Sequence, residues 1–200
     1  MHDMKIMEFY RHSKKQGPGN VNLSSEGIQL AQHVGEHELR NKHYTHLCTS
    51  HMKRTQETLF AFAVGAGDFP KIKPEIFLAN MSERQADDGL RLWNGVCHQA
   101  ELLNEDMLQA ALKNEHILAM KVAEEGSILF KQWVSFLPDK TRALIVHHSP
   151  FMELIVKGLF GRELPQLQPC EGFVIIEDDK GLHLERTKKS SIHHEPLPRK

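Results

Sequence analysis

The sequence predicts an α/β domain whose largely parallel sheet is closed by an antiparallel edge hairpin, and three observations carry that prediction. Short apolar runs at 5–10, 45–49 and 143–146 read as buried strands. Stretches of helical periodicity alternate with them, which is the pattern of parallel strands joined by crossover helices. Near the end, Phe173–Glu177 and His183–Arg186 flank the turn signal Asp178-Asp179-Lys180-Gly181 and read as a hairpin.

Lys5–Tyr10 is the first strand, and it ends in Arg11-His12. The Gly-Pro-Gly-Asn stretch at 17–20 is loop, after which Ser24 or Ser25 caps a helix that lays Ile28, Leu30, Ala31 and Val34 on the sheet. The second strand is centred on Thr45–Thr49, and a helix from about Met52 to Ala66 follows, closed by Gly65 and Gly67. Lys71–Phe77 is a third strand, which Pro74 confines to an edge. Residues 78–96 read as irregular, with a turn signal at Asp87-Asp88-Gly89.

Helical patterns cover Gln99–Leu112 and Ile117–Leu137, the second with Ile128, Leu129, Trp133 and Phe136 on its inner side. Ala143–Val146 is the clearest buried strand. The helix Pro150–Phe160 follows it, with Ser149 as N-cap and Pro150 at the first helical position. The expected organisation is one domain over 1–186 and a loose basic tail over 187–200.

The composition sets bounds on function. Lys and Arg number 25 against 26 Asp and Glu, which lacks the excess of a dedicated nucleic-acid binder. A small, locally positive cleft for an anionic substrate remains compatible with that balance. The longest apolar runs are too short to cross a bilayer, and the N-terminal residues lack the apolar stretch of a signal peptide. Three Cys without metal-like spacing (Cys48, Cys97, Cys170) fit a reduced, cytoplasmic protein with buried thiols. Histidine is the anomaly, with 14 in the chain.

Ligands of open α/β sheets bind beyond the carboxyl ends of the strands, beside helix N-termini. Three such ends carry unusual residues: Arg11 and His12 after the first, Ser50 and then Arg54 after the second, and His147-His148-Ser149-Pro150 after the long buried one. Two arginines and two histidines converging there would make an oxyanion pocket, because the guanidinium fork offers paired hydrogen bonds to phosphate. His147 is expected to be structural, since adjacent strand-end positions point to opposite sides.

Phe9-Tyr10-Arg11-His12-Ser13 resembles the Arg-His-Gly signature of the histidine phosphatase superfamily, which includes the cofactor-dependent phosphoglycerate mutases and the acid phosphatases. Asn22–Gly27, Thr49–Thr58 and Val146–Ser149 are similar to three further blocks of that family, in order and in register. The resemblance implies a three-layer α/β/α sandwich of the phosphoglycerate mutase-like kind. It implies His12 as the nucleophile that forms a phosphohistidine, with Arg11, Arg54 and His148 holding the phosphoryl oxygens, and neither metal nor cofactor. Positive neighbours are expected to depress the pKa of His12 and keep it neutral. Met81-Ser82-Glu83-Arg84, followed by Trp93-Asn94-Gly95, resembles the family's donor segment. That implies Glu83 as the acid for the leaving oxygen, with Asp87 and Asp88 as rivals, and residues 78–116 as the segment over the site.

The family's glycines after both histidines are replaced by Ser13 and Ser149, which together with Asn22 are expected to bind substrate. The partner is a phosphorylated small molecule or a phosphoprotein. The acidic stretch Glu83–Asp88 disfavours a second phosphate, and a phosphohistidine substrate would need little protonation of its leaving group. Two alternatives share the pocket: a phosphoglycerate-type mutase, although such enzymes are usually longer, and a catalytically impaired phosphate-binding module. A rival motif, His33-Val34-Gly35-Glu36-His37, matches a zinc peptidase pattern, but it needs a third ligand and a supporting context, and Gly35 weakens that helix.

Overall fold

A computed structural model describes residues 4–17, 22–67, 74–78 and 83–188. Its six-stranded sheet is built from β1 (Lys5–Arg11), β2 (His46–Thr49), β3 (Glu75–Ile76), β4 (Arg142–His147), β5 (Gly172–Asp178) and β6 (Gly181–Lys188), in the order β3-β2-β4-β1-β5-β6. β1, β2, β3 and β4 run parallel, whereas β5 pairs antiparallel with β1 and β6 antiparallel with β5. The edge position of β3 agrees with the proline that precedes it. The expected loop at 18–20, residues 71–73 of the third strand and the tail beyond 188 lie outside the described residues.

Alternation along β1 separates the two sides of the sheet. Tyr10 faces α1 (Ser25–Val34) and α2 (Lys53–Ala66), packed with Ala31, Val34, Leu59 and Phe62. Met7 and Phe9 face α6 (His116–Phe136) and α7 (Phe151–Phe160), packed with Phe130, Val134, Met152 and Ile155. A third cluster seats α3 (Glu83–Leu92), α4 (His98–Leu102) and α5 (Met107–Asn114) on α6 and α7 through Leu92, Cys97, Met107, Leu108, Ala119 and Leu154. The result is the expected three-layer α/β/α sandwich.

Several boundaries differ from the sequence reading, each for a physical reason. Within 78–96, expected to be irregular, residues 83–92 form α3 and Trp93–Cys97 a π-helical turn. The Asp-Asp-Gly signal fails there because Asp88 is buried and ion-paired to Lys121 of α6, so tertiary contact overrides local preference. Gln99–Leu112 divides into α4 and α5, with Asn104 in a left-handed conformation at φ 56 and Asp106 capping α5 through Gln109 N.

On α6 the buried residues are Ala119, Ala123, Ser127, Leu129, Phe130 and Val134, with Trp133 packed beside them, whereas Ile128 and Phe136, also expected inside, are 47% and 81% exposed. Gly67, at φ 68, closes α2 as expected, but Gly65 lies inside it. A Cβ at Gly65 would stand 1.8 Å from Gln32 O and one at Gly35 2.1 Å from Phe62 O, so both glycines serve the close crossing of α1 and α2. Ser24, not Ser25, caps α1. Pro150, not Ser149, precedes α7, which starts without a side-chain cap.

Candidate active site

The site grows from the carboxyl end of β1. The Arg11 main chain is held by the segment just before β5, donating to Glu171 O at 2.8 Å and accepting from Cys170 N at 3.1 Å. His12 N donates to His147 O at 3.0 Å, which hangs the residue from the end of β4. The buried His12 ring places Nδ1 2.8 Å from Ser13 O. A backbone carbonyl can only accept, so Nδ1 carries the proton and Nε2 keeps its lone pair.

α2 supports the same loop. Ser13 N donates to Thr58 Oγ1 at 3.0 Å, and Thr58 Oγ1 donates to Arg54 O at 2.7 Å. Arg54 is buried in the first turn of α2, where a cation is unfavourable unless an anion is to be bound. Ser50, after β2, shares hydrogen bonds with Met52 N (3.1 Å), Thr55 Oγ1 (3.0 Å) and His148 Nε2 (2.7 Å). The His12 and His148 rings lie 5.1 Å apart, edge to face. The structure therefore brings the residues from three strand ends together, as their spacing predicts.

Electrostatics reinforce the arrangement. Burial is the largest cause that pushes the His12 pKa down, to about 3; the charges of Arg11, Arg54 and Lys15 act in the same direction. The sequence reading has the right sign and names the neighbouring charges, but not burial, which is the larger cause. Burial likewise depresses His148 well below its usual value and His147 to about 4. His147 packs edge to face on both Phe77 and His148, at 5.7 and 5.1 Å between ring centroids, so its ring lies between the core and the site. Burial lowers the Arg11 and Arg54 pKa values, and the Glu101 carboxylate opposes that at both guanidiniums.

The serines correct an expectation. Ser13 Oγ donates to Gly27 O at 2.7 Å and Ser149 Oγ to Glu153 Oε1 at 2.6 Å, so both hydroxyls are committed to the protein instead of a substrate. Asn22 is exposed, and its main-chain carbonyl accepts from Gln16 N at 3.1 Å. Glu83 opens α3, and its side chain lies outside the described structure. Asp87 is exposed, whereas Lys121 holds the Asp88 carboxyl below its usual range, which makes Asp88 a poor acid.

Two carboxylates escaped the sequence reading. Glu101 of α4 pairs with Lys15 at 2.9 Å and lies within the field of both arginines. Glu153 of α7 is fully buried and acts on Arg11. Its place four residues after Ser149 gives no signal by itself, since Ser149 lies outside α7. Among the described residues no group of His, Cys, Asp or Glu could hold a metal ion. His33 and His37 instead stack at 4.0 Å. The three cysteines are free and buried, and no helix among the described residues is long and apolar enough to cross a membrane.

No curated protein sequence matches the chain. Among solved structures, the fold is similar to a phosphoserine phosphatase of Entamoeba histolytica, with a TM-score of 0.63 and 14% identity over 94% of this chain and 98% of that one. It is also similar to a phosphoglycerate mutase of Bacillus anthracis, with a TM-score of 0.58 and 17% identity over 92% of each chain. A candidate phosphohistidine phosphatase, SixA, of Agrobacterium tumefaciens gives a TM-score of 0.54 and 14% identity over 93% of this chain and 98% of that one. The sequence profile of the histidine phosphatase superfamily (branch 1) matches residues 8–177, a span that takes in Arg11, His12, Arg54 and His148, and the chain belongs to that superfamily.

Proposed function

We propose that the protein is a metal-independent phosphatase that hydrolyses a phosphomonoester or a phosphohistidine through a phosphohistidine on His12. The observation that carries this reading is the His12 ring itself, whose Nδ1–H is spent on Ser13 O while two buried guanidiniums and a second imidazole surround it. The Nε2 lone pair attacks phosphorus as the bond to the leaving oxygen breaks. Arg11, Arg54 and His148 hold the non-bridging oxygens, and the charge of the two guanidiniums replaces that of a metal, the His148 imidazole being neutral. The electron pair passes to the leaving oxygen, which takes a proton from Glu83. Water then attacks the phosphohistidine and gives its proton to the Glu83 carboxylate, releasing inorganic phosphate and restoring His12.

A phosphorylated small molecule or phosphoprotein in the cytoplasm is the proposed substrate. Residues 78–116 form the proposed cover of the pocket, a reading supported by the Lys15–Glu101 ion pair that ties α4 to the loop after His12. Hydrolysis is favoured over mutase chemistry by the acidic stretch at 83–88, which opposes a second phosphate on the substrate.

The test is His12→Ala. Turnover of an aryl phosphate should fall by about 10⁴-fold or more, because the two-step route is lost. Rapid-quench labelling should trap an acid-labile phosphoenzyme in the native protein only. If the variant keeps most of its activity, the assignment is wrong.

A further inference from the structure

One oxygen of a carboxylate that the proposed chemistry does not use connects two parts of the pocket. Glu153 stands in the first turn of α7 and is 0% exposed. Its Oε1 accepts from Ser149 Oγ at 2.6 Å, beside His148, and from Leu167 N at 3.2 Å. Leu167 in turn uses its carbonyl to accept from Arg11 Nη1. The segment containing Leu167 is irregular backbone between α7 and β5, with no ladder to fix it. Its hold on Arg11 therefore depends on what pins Leu167.

We propose that Glu153 is a positioning residue for Arg11: by anchoring Leu167 N, it fixes the carbonyl that sets the guanidinium toward the phosphoryl group. The cost of the placement argues for such a role. A fully buried carboxylate loses hydration worth several kcal/mol, and Oε2 finds no hydrogen-bond partner among the described residues. An apolar residue in the first turn of α7 would pack there without that penalty. A carboxyl group suits the place because one oxygen can accept both hydrogen bonds, even as burial pushes the group toward its neutral form. Arg11 cannot orient itself, since its Nε makes no hydrogen bond among the described residues.

The inference rests on the pocket being a phosphoryl site, so its readout is the affinity for inorganic phosphate, measured by calorimetry beside the melting temperature of each variant. Glu153→Gln keeps an acceptor oxygen at the same reach and should bind phosphate within about twofold of the native protein. Glu153→Asp keeps the charge but withdraws the oxygen by one methylene, and should lose about tenfold or more. In an Arg11→Met background, Glu153→Asp should cost no more than about twofold further, because the residue it positions is gone.

The opposite order, with Asp retaining affinity and Gln losing it, would mean that charge alone matters and would overturn the inference. So would a full loss by Glu153→Asp in the Arg11→Met background. A folded Glu153→Gln that loses about tenfold overturns it even if Glu153→Asp does not fold. If the native protein itself binds no phosphate, the functional reading fails first. If it binds phosphate but the series ignores Arg11, only this inference fails.

Discussion

At the scale of single residues, the site is a set of imidazoles kept neutral by burial. His12 with a pKa of about 3, His147 at about 4 and the strongly depressed His148 bind protons less readily folded than unfolded. As the pH falls below the ordinary histidine value of about 6.5, the unfolded chain takes up protons that the folded one refuses. Stability from these groups is therefore fully present above about pH 6.5 and declines as the pH falls toward 3–4, by up to about 1.4 kcal/mol per pH unit for each histidine. Denaturant melts between pH 7 and 5 should show that loss, and His12→Ala should reduce its slope. NMR titration should find the His12 ring neutral across the same range.

The proton donor belongs to this scale too. If Glu83 protonates the leaving oxygen, Glu83→Gln should slow an alkyl phosphate by about 10²–10⁴-fold while leaving an aryl phosphate with an acidic phenol much less affected. Steady-state assays of the two esters would distinguish this from general damage, which would slow both equally.

At the scale of elements, α1 and α2 can brace the His12 loop only because they cross closely. Gly65→Ala would set a methyl 1.8 Å from Gln32 O, where no flexible side chain can yield. The helices must separate, and a loss of about 1–3 kcal/mol is expected on thermal unfolding. Activity should fall with it, since Ser13 N relies on Thr58 of α2.

Elements also show where the sequence was legible. Apolar runs such as Ala143–Val146 are buried on both faces, so composition alone announces them. The four pocket residues Arg11, His12, Arg54 and His148 were legible because each lies at or just beyond a strand end, where an unusual residue has few structural explanations. The α3 region was not: its Asp-Asp-Gly signal is local, while the Asp88–Lys121 pair that overrides it spans 33 positions. Glu153 was hidden for a related reason. An acidic residue in a first helical turn looks ordinary until the fold brings Leu167 and Arg11 against it.

At the scale of the whole molecule, a nearly balanced charge of −1 conceals a concentrated positive site. Arg11 and Arg54 are both buried, with Lys15 close enough to act on His12. Such a cluster can neutralise a phosphoryl group without a divalent ion. Activity should be unchanged by a chelator such as EDTA, and an assay of the dialysed protein checks this. Loss of activity restored by zinc would instead revive the motif at His33–His37.

The strand order has a consequence for how the chain comes to fold. β1, which carries Arg11 at its end and leads directly into His12, is made before every other strand of the sheet, yet it sits between β4 and β5 when the sheet is finished. Neither neighbour exists until residues 142–178 have been synthesised. During translation the apolar run 5–11 must wait, unpaired, through most of the chain. Closing so distant a pairing is slow and leaves sticky backbone exposed in the meantime. A nascent chain halted near residue 140 would hold His12 but neither of the strands that flank β1. His12, the proposed nucleophile, is thus made long before the two strands that flank its own, and it reaches its working position only after them.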